Sequence, residues 1–318
     1  MECRICLNKK DNTSYEFQEM MFGYRDKFSY FQCSSCGCLQ ISDIPLDMRK
    51  YYPPDYYSFS QTKKNDNPIK YFIKRLRNNY ALFNKGLVGK LLYRRFPIDF
   101  AFNKYMHLTK DTRILDVGCG VGNLLYELSI STLKNMLGID PYIDKEIIYS
   151  KKLKIVRKDI KELEGEWDLV MFNHSFEHIQ DPVETIEIVS RLLAGGGVCL
   201  IRIPTVSSFA WEHYKENWVQ IDAPRHFFLH SIDSIKKLCW KVHLDMEKVV
   251  YDSTSFQYWG SEQYIRGIPL KSEQSHWVNP SESIFSEADI IKFEQSAQKL
   301  NLENRGDQAA FYLKKRYK

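Results

Sequence analysis

Between Asp116 and Gly122 the chain reads Asp-Val-Gly-Cys-Gly-Val-Gly, directly after the apolar residues Ile114 and Leu115. A strand that turns into a helix through such a loop exposes backbone N–H groups and lets a ligand touch the main chain. Asp140, 24 residues beyond Asp116, ends a second strand-like run. A carboxylate there accepts hydrogen bonds from both hydroxyls of a ribose, so the pattern predicts a nucleoside site. A dinucleotide fingerprint, G-x-G-x-x-G, needs its third glycine one residue beyond Gly122. Asp116 would also repel a diphosphate, whereas it suits a ligand carrying ammonium and sulfonium charges.

Two further clusters can do chemistry. Cys3 and Cys6, then Cys33 and Cys36, form two C-x2-C pairs with 26 residues between them. Each pair predicts a knuckle aiming two thiolates at one ion, and two knuckles complete a tetrahedral zinc site. Gly37 permits the positive φ that follows the second thiolate of a knuckle. Four protein ligands leave no position for substrate, so this zinc is expected to be structural. Cys38 reads as a spare thiol, with replacement of Cys36 as the alternative. Cys119, Cys199 and Cys239 stand singly and read as small buried residues. The other cluster is histidine-rich. His174-Ser-Phe-Glu177-His178 precedes the helix start Asp181-Pro182, and Arg225-His226 lies in Trp218–Ser231 ahead of another helix. His226 and His178 are candidate general bases, and His174, Glu177 and Tyr251 share their place after predicted strands. The bland reading of each histidine is a structural hydrogen bond near a helix start. Arg225 can grip a phosphate or carboxylate bidentately.

Strand-like runs at 113–117, 135–139, 154–158, 168–173 and 197–203 alternate with helical segments, notably Pro182–Leu193. Such alternation predicts an α/β fold with a parallel sheet and right-handed crossovers. Gly195-Gly-Gly197 is expected to cap a helix and turn into the next strand. Helix 231–241, strand 245–252 and a run from Asp307 follow. Residues 253–306 exceed what a hairpin needs and read as an insertion serving as a substrate lid or an oligomer contact. The expected organisation is a zinc-binding module with aromatic linker at 1–60, a basic helical segment at 61–108 and the α/β domain at 109–318. Within 63–104 eleven Lys and Arg face two Asp, net +9 against +5 for the whole chain. Apolar spacing there predicts a basic amphipathic helix. It either caps the sheet with a solvated face or meets a membrane, a diphosphate or nucleic acid. No apolar run approaches the ~20 residues of a membrane span, and the N-terminus lacks a signal-peptide pattern. A cytoplasmic location is expected, where clustered thiols mean metal before disulfides. The net charge is too small to mark a nucleic-acid protein.

The loop and its sequel resemble the class I S-adenosylmethionine (SAM)-dependent methyltransferases. Asp116–Gly122 is similar to their first motif. Lys158-Asp159-Ile160 matches the position that reads the adenine, and Asp168–Asn173 the strand that approaches the methionine moiety. His174–Pro182 and Leu192–Gly197 match the segments that follow, so that the resemblance covers about 97–252. It implies a Rossmann-like seven-stranded sheet with its last strand antiparallel. SAM would be bound by Asp116, Gly118, Cys119, Gly120, Gly122, Asp140, Asp159 and Asn173. Sugar methyltransferases with a cysteine-rich, zinc-binding N-terminal domain carry a stretch similar to 218–231. That implies a sugar acceptor contacting Arg225, Glu177 and Tyr251. Deoxysugar C-methyltransferases have a carboxylate immediately before the equivalent of His226, where this chain has Arg225. The expectation is therefore O-methylation of a nucleotide-linked or phosphorylated sugar in polysaccharide or natural-product biosynthesis. Sugar C-methylation, or methylation of RNA or protein through the zinc module, are the alternatives.

Overall fold

A computed structural model describes residues 1–53, 67–100 and 105–316. Most of the aromatic linker (54–60), with Lys63, Lys64, Asp66 and Lys104, lies outside the described residues. Strands β1 (Thr13–Gln18), β2 (Lys27–Gln32) and β3 (Leu39–Ile41) precede helices α1 (Pro68–Phe83) and α2 (Leu87–Arg95). The alternating part runs β4 (Arg113–Val117), α3 (Asn123–Ser129), β5 (Asn135–Ile139), β6 (Ile147–Ser150), β7 (Leu153–Val156), β8 (Trp167–Asn173), α4 (Pro182–Leu192) and β9 (Leu193–Pro204). Then come α5 (Phe209–Tyr214), β10 (Phe228–Leu229), α6 (Ile232–Lys241), β11 (Leu244–Tyr251), α7 (Phe256–Ile265), α8 (Glu287–Leu302) and β12 (Gln308–Lys315).

The larger sheet has the order β11-β12-β9-β8-β4-β5-β7-β6, a mixed α/β sheet whose last strand is antiparallel. It has eight strands rather than the expected seven. The addition is β6, which pairs antiparallel with β7; four residues of alternating exposure make an edge strand too short to register as a sequence pattern. The triple glycine also departs from expectation. Helix α4 passes into β9 at Leu193, and Gly195–Gly197 lie within the strand. A Cβ on Gly197 would stand 3.0 Å from the Trp167 carbonyl oxygen, so close backbone approach, not helix capping, explains that glycine.

The chain divides into two compact units. One comprises 53–175, 187–201 and 312–318. Here the basic segment forms two helices, not one. Asn84 ends α1 in the left-handed conformation, and Gly86 precedes α2 at φ 98°, a backbone turn that no continuous helix accommodates. Asn78 donates to the Glu127 carbonyl and Asn79 accepts from Thr132, which ties one face of α1 to the end of α3.

The other unit comprises 1–52, 176–186 and 202–311. Its four-stranded sheet has the order β1-β2-β3-β10, and Phe228 and Leu229 pair with Gln40 and Leu39. The cysteine-bearing segment thus shares a sheet with the stretch that follows His226. An aromatic core joins them: Phe17 and Tyr30 rings lie 5.0 Å apart, and Tyr15 packs edge-on to Trp211 at 5.3 Å. The 253–306 insertion is built into this unit. Val219 N–H donates to Ser261 on α7, and the N–H groups of Leu270 and Lys271 donate to the carbonyls of Met20 and Met21.

Candidate active site and four-cysteine cluster

The four predicted cysteines converge. Cys3 and Cys36 sulfurs lie 3.6 Å apart, and those of Cys6 and Cys33 3.5 Å. A tetrahedral zinc with Zn–S bonds of about 2.3 Å sets sulfurs roughly 3.8 Å apart, so the donor set fits zinc. Both knuckles carry a left-handed residue after the second cysteine, Leu7 at φ 63° and Gly37 at φ 71°. Gln40 donates to the Cys3 sulfur and Asn8 to that of Cys33, as outer partners of metal thiolates do. Cys38 is buried outside the cluster, its thiol directed at the Leu39 carbonyl.

The glycine loop lies between β4 and α3. Gly118, Gly120 and Gly122 have φ of 70°, 56° and 79°, a region where a side chain is strained. Loop and strand are pinned together: Gly118 and Cys119 N–H groups donate to the Ile139 carbonyl, and Ser175 Oγ donates to that of Val117. Asp140 accepts the N–H groups of Gly120 and Tyr142. The Cys119 thiol occupies the space left by the missing side chain of Gly138, so it packs against β5. Asp159 caps the short turn at Ile160–Glu162, and Asn173 ends β8 half-buried. Asp116 is buried, and among the described residues it makes no ion pair. Burial, then the charge of Asp140, push its carboxyl well above the usual range, while burial raises Asp140. Two buried carboxylates that resist ionisation fit a cationic ligand, whose ammonium would restore the charged form. Asp116→Asn is expected to weaken SAM binding roughly 10- to 100-fold in calorimetric titration. Wild-type affinity should rise with pH as Asp116 ionises, and the variant's should be flatter.

Glu177, His178, Asp222, Arg225 and His226 all belong to the other unit, whereas His174 belongs to the unit of the glycine loop. Asp222 turns the chain at φ 41°, its carbonyl accepts the N–H groups of Arg225 and His226, and Phe227 N–H donates to the Glu177 carbonyl. Tyr30 donates its hydroxyl to the His226 carbonyl. The His178 and His226 rings stand 4.8 Å apart. His226 Nδ1 lies 2.7 Å from the Gln220 carbonyl, and His178 Nδ1 2.7 Å from that of Arg225. A carbonyl accepts, so both Nδ1 atoms carry the proton and both Nε2 atoms carry the lone pair. His226 Nε2 lies 3.9 Å from Glu177 and 3.8 Å from Asp222.

Charge distribution follows from burial. His226 is lowered, mainly by burial against the opposing pull of Asp222, and burial, then His226, lowers His178 to about 3. Glu177 is fully buried and pushed up to about 8. Asp222 is held low: burial opposes its ionisation, but Arg225 prevails. The cluster at neutral pH is two neutral imidazoles, a neutral Glu177 carboxyl and an ionised Asp222. A tetrahedral ion bound at about 2.0 Å sets its donors roughly 3.3 Å apart. The 3.9 Å gap between His226 and Glu177 suits proton handling better.

Glu177 yields a stability prediction. Its carboxyl titrates near 4.5 when unfolded and about 8 when folded, so between these values the unfolded state holds fewer protons. The stability it contributes is complete below pH 4.5 and is lost as pH rises towards 8. By pH 7 that loss is roughly 3 kcal/mol. Glu177→Gln is expected to stabilise the protein by about that much at pH 7, and hardly at all below pH 4.5, in urea unfolding.

Arg225 requires correction. It was expected to grip an anionic acceptor, yet it is fully buried. Its guanidinium donates to Glu19 at 2.8 Å, to Asp222 at 2.6 Å and to the Tyr51 carbonyl. Burying a guanidinium demands such partners, and they occupy its donors. Tyr251 ends β11 with a buried hydroxyl that meets no hydrogen-bond partner among the described residues, so no such bond joins it to the histidines. Sequence reasoning missed Asp222, Glu19 and Tyr30. The three-residue spacing of Asp222 and Arg225 was a visible signal for the first; Glu19 and Tyr30 had none.

Residues 77–249 match the family model described as a methyltransferase domain. No curated protein matches the chain. Among solved structures, a SAM-dependent methyltransferase from Archaeoglobus fulgidus is similar at 20% identity, over 71% of this chain and 94% of that one, with a TM-score of 0.43. A cyclopropane synthase from Mycobacterium tuberculosis shares 12% identity over 80% and 100% of the two chains, TM-score 0.42. A SAM-dependent methyltransferase from Mesorhizobium loti shares 14% over 65% and 94%, TM-score 0.40.

Proposed function

Because the chain belongs to the methyltransferase-domain family and is a SAM-dependent methyltransferase, we propose that it O-methylates a sugar hydroxyl, with His226 as general base. A structural zinc in the four-cysteine cluster is part of this reading. SAM supplies an electrophilic methyl group whose sulfur leaves without protonation. A sugar hydroxyl is a weak nucleophile, so the protein must orient it and take its proton. The observation that carries the reading is the 2.7 Å bond from His226 Nδ1–H to the Gln220 carbonyl. It commits the lone pair of a neutral imidazole to Nε2, the state a base needs. Asp222, 3.8 Å from that atom and kept ionised by Arg225, would stabilise the imidazolium formed. The phosphate or nucleotide handle expected on the acceptor loses its candidate ligand with Arg225, and the reading rests on the hydroxyl alone.

Glu177 favours a second reading, C-methylation beside a sugar ketone. A carboxyl kept neutral up to about pH 8 can donate a hydrogen bond to an enolate oxygen. Asp222 and Glu177 also place carboxyl groups beside His226, although the preceding residue is Arg225. Incubation of hydroxy- and keto-sugars with SAM labelled in its methyl carbon, followed by NMR of the product, tests both. A methyl ether supports the first reading and a new C–CH3 bond the second. Label incorporated into RNA or protein, with none in sugars, overturns both.

A further inference from the structure

We propose that the α1–α2 helix pair docks this protein onto the surface of an anionic lipid bilayer. Between Asn67 and Ile98 the chain carries eight Lys or Arg and neither Asp nor Glu. Large apolar side chains stand in solvent among them: Ile69 is 73% exposed, Phe72 58%, Leu87 84% and Leu91 65%. Ile69, Phe72 and Ile73 recur at helical spacing on α1, as Leu87 and Leu91 do on α2, so each helix presents an exposed apolar stripe. The inward side is otherwise engaged, through Asn78 and Asn79 to the end of α3 and through the close crossing at Gly89.

The combination selects the occupant. A second copy of the same face would set eight cations against eight, which repels. RNA would reward the charges, but exposed Ile and Leu gain nothing from phosphates. A bilayer surface uses both, with apolar side chains entering the acyl boundary while Lys and Arg meet anionic head groups. Spanning is excluded for these helices: α1 has 16 residues, about 24 Å of helix, and no helix among the described residues is long and apolar enough to cross a membrane.

Co-sedimentation of the full chain with vesicles tests the proposal. Binding is expected to vesicles of phosphatidylcholine mixed with phosphatidylglycerol, to weaken with added salt, and to vanish with phosphatidylcholine alone. Each basic residue at such a surface is worth roughly fivefold, so Lys85→Gln with Arg94→Gln should lower affinity roughly 30-fold. Phe72→Ser with Leu91→Ser should lower it roughly 100-fold. All four positions are exposed, and unchanged SAM titration verifies that each variant is folded. Equal binding to both vesicle types, or to neither, overturns the proposal. So does RNA binding that matches the vesicle affinity and ignores Phe72→Ser with Leu91→Ser, which would assign the surface to nucleic acid.

Discussion

Stripping zinc with a chelator, or replacing Cys33 by Ser, is expected to unfold the β1-β2-β3-β10 sheet and abolish methyl transfer. Structural zinc in a small four-thiolate site supplies roughly 10–16 kcal/mol of apparent binding free energy, more than most domains possess in net stability. The ion would hold segments 27 and 33 residues apart, alongside the hydrogen bonds of Arg4 to Gln40 and of Asn8 to Ser34, in a sheet whose β3 has three residues and β10 two. The damage would reach His226 directly. Tyr30 on β2 donates to the His226 carbonyl, Ser231 donates to that of Cys36, and Glu19 receives Arg225. Native mass spectrometry should find one zinc per chain in the wild type. Chelation should erase the near-ultraviolet circular dichroism of the packed Trp211 and Trp218, and both changes should reverse on zinc addition. A metal-free chain with full activity would refute the structural role.

His226→Ala is expected to lower turnover roughly 10²- to 10⁴-fold, the span assigned to a positioned general base, with SAM affinity little changed. Its pH profile carries the sharper test. Because burial lowers His226, the acid limb of turnover should fall below the ordinary histidine value of 6.5. Where Glu177 must stay protonated to donate, activity should also decline above about pH 8. Glu177→Gln keeps a neutral donor, so it should remove that alkaline limb while sparing most turnover near neutrality. A profile that rises through pH 8 in both proteins would dismiss Glu177 as a donor. A fall of less than about tenfold in His226→Ala would remove His226 from the role of base.

Much of the molecule was legible along the chain, and the legible parts share a trait. The glycine loop at 116–122, the two cysteine pairs and the alternation of strands and helices are short-range patterns. Backbone conformation and ligand geometry dictate each within a few residues, so residue type and spacing suffice. Helix α4 starts at Pro182 as its Asp-Pro signal predicts. The miss at Gly195–Gly197 has a local cause too. Glycine serves a helix cap and a close strand approach equally well, and the choice lies with Trp167 on the neighbouring strand.

Arg225 marks the boundary. As a residue type beside His226 it announced anion binding, but its partner Glu19 lies 206 positions away, and nothing in either segment names the other. Burial converts such a pair from a surface grip into an internal strut, and burial is a property of the packed unit. The raised pKa of Glu177 arises in the same way, from burial that no spacing rule reports. Sequence alone therefore specified the methyl donor and the four-cysteine cluster, because loop and knuckle carry their own geometry. Folding set the charges around His226, through desolvation and long-range pairing.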